Sequence, residues 1–291
     1  MKRTHRWTVF LIAAVGLMGL AGCGGEGDES SIGSSRGERF VIVSGGQTGV
    51  YYPTAGAVAK LARGQGMQME VQSSGGSVAN ARLLASGNAD FAIMQNDIAA
   101  YACGGELMFD KTLESLVGVA ALYPEHVQVV ARADAGIESI GDLAGKRVAI
   151  GAIGSGTEAN ALQVLAAYGL DEGDLAKVER LKAGESRDYL QDGRVDAAFF
   201  TFGVGTASIT ELASISQIKL IPIEGPQRAT LLEQHPFYRE AVIPAGSYGD
   251  VTPNDIPTVA VMATLVARAD GTDETVAKLL AGVFEHLDEF K

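Results

Sequence analysis

The sequence predicts an α/β protein made of two similar lobes that face each other across a cleft. From Phe40 onward, short apolar strands alternate with glycine-rich turns and helices, which is typical of α/β folds. Segment 87–92 (GNADFA) parallels segment 193–198 (GRVDAA), because in each a glycine ends a helix and an aspartate opens an apolar strand. Roughly 255 residues follow the N-terminal region, which suits two lobes of ordinary domain size.

The N-terminal region predicts export and membrane attachment. Residues 1–22 combine a basic start with an apolar run too short to span a bilayer, as in a signal peptide. The run ends in LAGC, which resembles the lipobox of bacterial lipoproteins and implies lipid on the thiol of Cys23. A plain signal peptide with an incidental cysteine is the alternative. Residues 23–37 have almost no apolar content and predict a flexible tether. We therefore expect an exported protein, lipid-anchored at the outer face of the cytoplasmic membrane or in the periplasm.

Composition excludes several classes of function. The formal net charge of −12 argues against nucleic-acid binding, which needs a basic face. Beyond Cys23 only Cys103 remains, so an intrachain disulfide framework is not expected. His126, His235 and His286 are far apart and match no zinc spacing. We expect neither a metal nor a cofactor.

The first half predicts three strand–turn–helix units followed by two more strands. Strands are expected at 40–44, 67–72, 89–94, 116–122 and 127–133, and helices at 54–63, 78–86 and after 97. The turns between them, 45–52, 73–77 and 95–97, are rich in glycine and polar residues.

The second half repeats the pattern, beginning at residue 146. A short strand at 147–150 enters the turn GAIGSGT (151–157), and a helix follows with Ser155 or Thr157 as its N-cap. Glu158 lies in the first turn, where a negative charge suits the helix dipole. Further elements are strands at 178–181, 195–201 and 218–223 and helices at 185–192 and 206–213. The turn 202–205 (FGVG) connects the strand at 195–201 to the helix at 206–213.

The glycine turns predict a ligand site. In α/β sheets, ligands bind outside the carboxyl ends of the strands, where such turns enter helices. The first N–H groups of a helix have no partner within the helix and suit an anion such as a carboxylate. If the lobes face each other, the five turns converge on one cleft.

Seven short motifs, taken in order, resemble the TAXI family of solute receptors, which serve tripartite ATP-independent periplasmic (TRAP) transporters. They are GVYYP (49–53), SGGSVAN (74–80), QND (95–97), LAGKRV (143–148), GSGTE (154–158), VDAAFF (195–200) and IPAGSY (243–248). The resemblance covers roughly residues 39–270. It implies a type II periplasmic-binding-protein fold, a small carboxylated ligand such as glutamate, glutamine or an oxo acid, and an ion-driven permease as partner. Val50 and Gly205 depart from the family pattern.

The resemblance also suggests where the lobes divide. We expect lobe 1 to comprise 38–123 and 245–291, and lobe 2 to comprise 124–244. The hinges would lie near 123–127 and within 223–257.

Eleven residues of the turns are candidates for ligand contact. They are Gly49, Tyr51, Ser74, Gly75, Ser77, Gln95, Gly154, Ser155, Gly156, Thr157 and Phe202. Tyr51 is preferred over Tyr52 because the family motif favours it.

Each candidate has a structural alternative. The serines at 74 and 77 could cap the following helix, Asp97 could cap its own helix, and Phe202 could belong to the core. Arg82, Arg132 and Arg187 could clamp a carboxylate, or could equally be solvated surface residues.

The predicted function is capture of a small carboxylated solute by closure of the lobes, and its delivery to a TRAP-type permease. An enzyme is not expected, because the chain has no G-x-S-x-G elbow, P-loop lysine or G-x-G-x-x-G fingerprint around these turns. A ligand sensor that signals to a membrane kinase would have the same pocket and stays an alternative, with an exported α/β enzyme as the outsider.

The C-terminal stretch 272–291 predicts an amphipathic helix with Leu279, Val283 and Phe284 in its buried stripe. The stretch has no capping residue at its end. We therefore expect the natural protein to extend further, so that the present chain is a fragment.

Overall fold

One mixed sheet of ten strands runs through both lobes of the computed structural model. The structure describes residues 39–286 and 288. The predicted signal peptide, tether and Cys23 lie outside the described residues.

Lobe 1 contains three parallel strands in the order β2-β1-β3, each followed by a helix. The elements are β1 (Arg39–Val43), α1 (Tyr51–Gly64), β2 (Gln68–Gln72), α2 (Ser77–Ala85), β3 (Phe91–Gln95) and α3 (Asn96–Gly104). Helices α1 and α8 (Asp273–Phe284) cover one face of the sheet, and α2 and α3 cover the other. The three strands and three helices predicted between residues 40 and about 104 are present, with ends that differ by a few residues.

Lobe 2 repeats this arrangement with the strand order β6-β5-β7. Its elements are β5 (Arg147–Ala149), α4 (Gly156–Ala167), β6 (Lys177–Glu179), α5 (Ala183–Gln191), β7 (Ala197–Phe202), α6 (Ala207–Ile215), β8 (Ile218–Ile221), α7 (Gly225–Gln234) and β9 (Arg239–Ile243). The internal parallel in the sequence is therefore a structural repeat.

Two long antiparallel strands connect the lobes, β4 (Leu116–Arg132) and β10 (Ile256–Arg268). β4 pairs with β7 through its second half, and β10 pairs with β3 through its second half. The sequence predicted two separate strands at 116–122 and 127–133. This separation is wrong, because the polar residues between them continue the hydrogen-bonded ladder with β10. The strand β10 itself has no counterpart among the predicted elements.

The predicted boundary between the lobes near residue 245 precedes a segment that packs against β7 and α6. Tyr248 of this segment is buried in an apolar cluster with residues of those two elements. Its hydroxyl donates to Gln128 Oε1 at 2.7 Å and accepts from the backbone N–H of Gly205 at 3.1 Å. The chain returns to lobe 1 only within β10, since Val261 belongs to a core cluster of lobe 2 and Ala263 to one of lobe 1.

The C-terminal helix α8 occupies the first part of the predicted span 272–291, of which residues 287 and 289–291 lie outside the described residues. It begins after Thr272, whose side chain accepts from the N–H of Thr275, and it packs on α1 through Leu279 and Val283. Phe284 was expected in the buried stripe, but it is 55% exposed. Within residues 39–286, none of the helices has the length and apolar character needed to cross a bilayer.

Candidate functional site

A cavity of about 110 Å³ lies between the lobes, next to the crossing strands. Ten of the eleven candidate residues line it: Gly49, Tyr51, Ser74, Gly75, Ser77, Gln95, Ser155, Gly156, Thr157 and Phe202. Only Gly154 does not. The five predicted turns therefore meet at one place, as their positions at strand ends predict, with 45–52, 73–77, 151–157 and 202–205 and the end of β3 all contributing.

The start of α4 faces the cavity from lobe 2. Ser155 is its N-cap, with its side chain accepting from the N–H of Glu158 at 3.1 Å. The Glu158 carboxylate in turn accepts from the N–H of Gly154 at 2.8 Å, which fixes the turn. Gly156 and Thr157, in the first turn, line the cavity. Their N–H groups have no acceptor within the helix and carry the positive end of its dipole.

The start of α1 faces the same cavity from lobe 1. The turn before it is closed by a hydrogen bond from the N–H of Gly49 to the carbonyl of Gly46 at 2.9 Å. Val50 and Tyr51 line the cavity at the first turn of the helix, and Val50 offers no side-chain cap. Tyr52 is not among the lining residues, which favours Tyr51 of the pair. Two helix N-termini from opposite lobes thus bring positive potential to one cavity.

The start of α2 has a different role, which involves Gly154. The Gly154 carbonyl accepts from the N–H groups of Val78 and Ala79 at 3.1 and 3.2 Å, so the lobe 2 turn docks on a helix of lobe 1. Gly76 allows this approach, because it has φ of +115° and a Cβ there would lie 3.0 Å from Ser155 Cα. The N–H groups of α2 are therefore used to join the lobes.

Ser74 and Ser77 are not caps of α2. The Ser74 hydroxyl accepts from the N–H of Gly76 and donates to the carbonyl of Ser44, both at 3.0 Å. The Ser77 hydroxyl accepts from the N–H of Gln95 at 3.1 Å. Both serines therefore hold the cavity wall in place from lobe 1.

Glu125 is a lining residue that the sequence analysis did not select. It lies on β4 at the crossing between the lobes and is only 1% exposed. The Tyr51 hydroxyl donates to its carboxylate at 2.6 Å. Burial raises the pKa of the Glu125 carboxyl from 4.5 to about 8. Burial, and secondarily the negative charge of Glu125, raises the pKa of the Tyr51 hydroxyl well above its ordinary value. The signal in the sequence is a lone charged residue within a long apolar stretch.

Three buried polar groups of the cavity wall have no hydrogen-bond partner among the described residues. They are Gln95 Oε1, Ser186 Oγ and Thr201 Oγ1. Buried polar groups are normally paired, so such a cluster in one cavity points to a ligand that completes it. Ser186 and Thr201 were missed because an isolated hydroxyl in a helix or at a strand end carries no local signal.

The remaining charged residue of the wall is Lys182, which is exposed and stands just before α5. Its backbone N–H donates to Glu185 at 2.9 Å. Phe202 and the neighbouring aromatic residues of β7 supply an apolar wall on the same lobe. Among the described residues, no group of His, Cys, Asp or Glu could hold a metal ion.

The other polar candidates lie outside the cavity. Asp97 does not line the cavity and is not the N-cap of α3, which is Gln95. Its carboxylate accepts from the N–H of Ile98 in the first turn at 2.8 Å and from Asn160 Nδ2 of lobe 2 at 2.9 Å. Arg82 donates to a backbone carbonyl at 2.9 Å, Arg132 pairs with a nearby aspartate at 2.6 Å, and Arg187 bridges two acidic residues at 2.9 and 2.7 Å. None of the three arginines lines the cavity.

Solved structures with the same fold are binding proteins. The chain resembles the substrate-binding protein of an amino acid ABC transporter, at 15% identity and a TM-score of 0.51 over 87% of this chain and 95% of that one. It also resembles an ancestral arginine-binding protein bound to arginine, at 15% identity and a TM-score of 0.54 over 87% and 93%. A third relative is the GluR0 ligand-binding core in complex with L-glutamate, at 14% identity and a TM-score of 0.52 over 89% and 97%.

These similarities confirm the predicted two-lobed periplasmic-binding-protein fold. At the level of sequence, residues 42–291 match the NMT1-like family. The match covers most of the chain, and the protein described here belongs to the NMT1-like family.

Proposed function

We propose that this protein is an extracytoplasmic receptor that captures a small carboxylated solute by closing its two lobes. One observation carries the proposal: helix N-termini from opposite lobes face a single cavity whose wall contains buried polar groups without hydrogen-bond partners in the described part of the chain. A carboxylate held between these helix starts would complete the site only when the lobes are together. Ligand binding would therefore shift the population towards the closed form.

The size of the cavity supports a small ligand. A water molecule needs roughly 10–15 Å³ on the same measure, so about 110 Å³ corresponds to roughly seven to eleven water-sized positions. Glutamate, glutamine and their oxo-acid analogues are of this size. The similar structures that hold arginine and L-glutamate are consistent with such a ligand.

The partner would be a TRAP-type permease, as the TAXI-like motifs imply, and Cys23 would attach the receptor to the membrane through lipid. A receptor that signals to a membrane kinase remains the alternative for the same pocket. A permease gene beside this one would favour transport. A Cys23→Ser variant that stays in the membrane fraction with unchanged processing would contradict the lipid anchor.

The pocket is tested by a thermal-shift screen of amino acids, dicarboxylates and oxo acids, since a ligand that binds only the folded state raises the melting temperature. Ser155→Trp fills the turn at the start of α4 and should abolish the shift while the protein stays folded. Ser214→Trp, on the exposed surface of α6 and outside the cavity wall, should retain it. Unchanged affinity of a folded Ser155→Trp variant in calorimetry would refute this location of the site.

A further inference from the structure

We propose that Glu125 makes closure of the lobes conditional on an amine in the ligand, so that the receptor selects amino acids over the matching oxo acids. This inference rests on the proposed function and assigns specificity within the same cavity. The decisive observation is a buried carboxylate at the meeting point of the lobes, aimed into the ligand cavity.

The Glu125 carboxylate is incompletely paired. An ionised carboxylate has about four sites for hydrogen bonds, and the hydroxyl of Tyr51 fills one of them. Among the ion pairs within the described part of the chain, none includes Glu125. A buried charge is costly unless it is both paired and hydrogen-bonded.

The groups around Glu125 do not neutralise it. Tyr51 faces it from α1, and Tyr123 lies two residues away on β4. Asp97, at the start of α3, adds a like charge that opposes ionisation. The cation on the cavity wall is Lys182, but its side chain is exposed. Burial consequently raises the pKa of the Glu125 carboxyl to about 8.

A ligand ammonium would remove the free-energy cost of burying the Glu125 carboxylate without a cation. Closing the lobes around an oxo acid leaves Glu125 either ionised without a cation or protonated, and either state costs free energy at neutral pH. Closing around an amino acid places a cation against the Glu125 carboxylate, which lines the cavity. The carboxylate of the same ligand would meet the helix N-termini, which line the same cavity.

The inference is tested with matched ligand pairs in isothermal titration calorimetry at pH 7. Suitable pairs are L-glutamate with 2-oxoglutarate, L-leucine with 4-methyl-2-oxopentanoate, and L-alanine with pyruvate. For the pair that binds, we expect the wild-type protein to favour the amino acid by at least fiftyfold. Glu125→Gln keeps the shape but removes the charge, so it should weaken the amino acid at least tenfold and leave the oxo acid unchanged or tighter.

Two controls make the result specific. Glu179→Gln removes a carboxylate on β6 that lies outside the cavity wall, and it should keep the wild-type preference. Thermal melting should show that Glu125→Gln is at least as stable as the wild type, because a buried charge has been removed. An oxo acid that binds the wild type as tightly as its amino acid, or a preference that survives in Glu125→Gln, overturns the inference and leaves the proposed function intact. Absence of binding by any carboxylate in the panel overturns both.

Discussion

At the scale of single residues, the cavity wall contains buried polar groups that have no hydrogen-bond partner among the described residues. Thr201 and Thr258 are both buried threonines, at 5% and 1% exposure. The hydroxyl of Thr258 donates to the carbonyl of Val127, whereas that of Thr201 has no partner among the described residues. A buried hydroxyl without a partner costs about 1–3 kcal/mol. The two residues therefore form a natural comparison.

We predict that Thr201→Val leaves the ligand-free protein as stable as the wild type or more stable, yet weakens ligand binding about five- to tenfold. The substitution keeps the shape of the side chain and removes a hydroxyl that only a ligand would pair. Thr258→Val, which removes a satisfied hydroxyl, should instead destabilise the protein by about 1–3 kcal/mol. Thermal melting and calorimetry measure the two effects. A loss of stability in Thr201→Val with unchanged affinity would show that this hydroxyl has a structural role.

The residues of the site that could be predicted are those with a local signature. Glycine turns between a strand and a helix are visible in the sequence, and ten of their eleven candidates line the cavity. Glu125, Ser186 and Thr201 could not be found in this way, because their importance arises from strands and helices that are distant in the chain. The position of Gly154 outside the cavity wall could not be predicted for the same reason, since its carbonyl accepts hydrogen bonds from a helix of the other lobe.

At the scale of elements, each lobe has an aspartate at the equivalent position, and this aspartate fixes the start of a neighbouring strand. The Asp90 carboxylate accepts from the N–H of Val41 at 2.8 Å, and the Asp196 carboxylate accepts from the N–H of Arg147 at 2.8 Å. Each aspartate precedes the third parallel strand of its lobe and holds the start of the strand beside it. The repeated Gly-x-x-Asp pattern in the sequence is thus the signature of one structural device used twice.

We predict that Asp196→Asn destabilises the protein by about 1–2 kcal/mol, because Asp196 also receives hydrogen bonds from the Arg147 side chain. These hydrogen bonds lower the pKa of the Asp196 carboxyl. A lowered pKa contributes stability above the unfolded value of about 4, and this contribution is lost as the pH falls through the folded value. The difference between wild type and variant should therefore be present at pH 7 and shrink below about pH 4.

Urea unfolding at several pH values measures this difference. Asp188→Asn serves as the control, because Asp188 forms an exposed ion pair with Arg187 and should change stability by less than about 0.5 kcal/mol. A cost for Asp196→Asn that is the same at pH 3 and pH 7 would contradict an origin in the charge.

The connecting strands β4 and β10 were predicted least well from the sequence. Pro124 and its polar neighbours indicate a break in β4, but Pro124 pairs opposite Met262 and Glu125 opposite Val261, and the register shifts of this antiparallel pair lie elsewhere, at Ala263/Thr264 and Leu265/Val266. The polar side chain of Glu125 faces the cavity between the lobes, so the alternation expected for a strand covered on one side does not apply there. Continuity between lobes is a tertiary property that local patterning does not reveal.

At the scale of the whole molecule, polar contacts outside the cavity wall also join the two lobes. Asp97 of α3 accepts from Asn160 of α4, and Tyr101 of α3 hydrogen-bonds His235 Nδ1 at 2.9 Å. Asp97 is fully buried in this interface, and burial raises the pKa of its carboxyl from 3.8 to about 6. Glu125, with its pKa raised to about 8, lies in the same region between the lobes. Closure therefore buries two carboxyl groups for which ionisation is unfavourable.

The sign of the resulting pH dependence follows from these shifts. In an open form, where solvent reaches both groups, their pKa values would be near the ordinary values of about 4. The closed form then binds more protons than the open form between about pH 4 and pH 8. Above the raised pKa values, the free energy of closing includes the full cost of burying both ionised carboxyl groups. As the pH falls through these values, that free energy decreases by about 1.4 kcal/mol per pH unit for each proton taken up.

We therefore predict that the ligand-free protein closes as the pH is lowered from 8.5 to 5. Small-angle X-ray scattering should show a decreasing radius of gyration over this range, first through Glu125 and then through Asp97. The double variant Glu125→Gln, Asp97→Asn should show no compaction as the pH falls, because both groups are then neutral throughout and the partly buried His235, whose pKa is lowered by burial, can only oppose closure at low pH. At pH 8.5 an amino-acid ligand should produce the same compaction in the wild type, since its ammonium neutralises Glu125 without a proton. A wild-type radius that is constant with pH, or a double variant that responds as the wild type does, would refute the link between these carboxyl groups and closure.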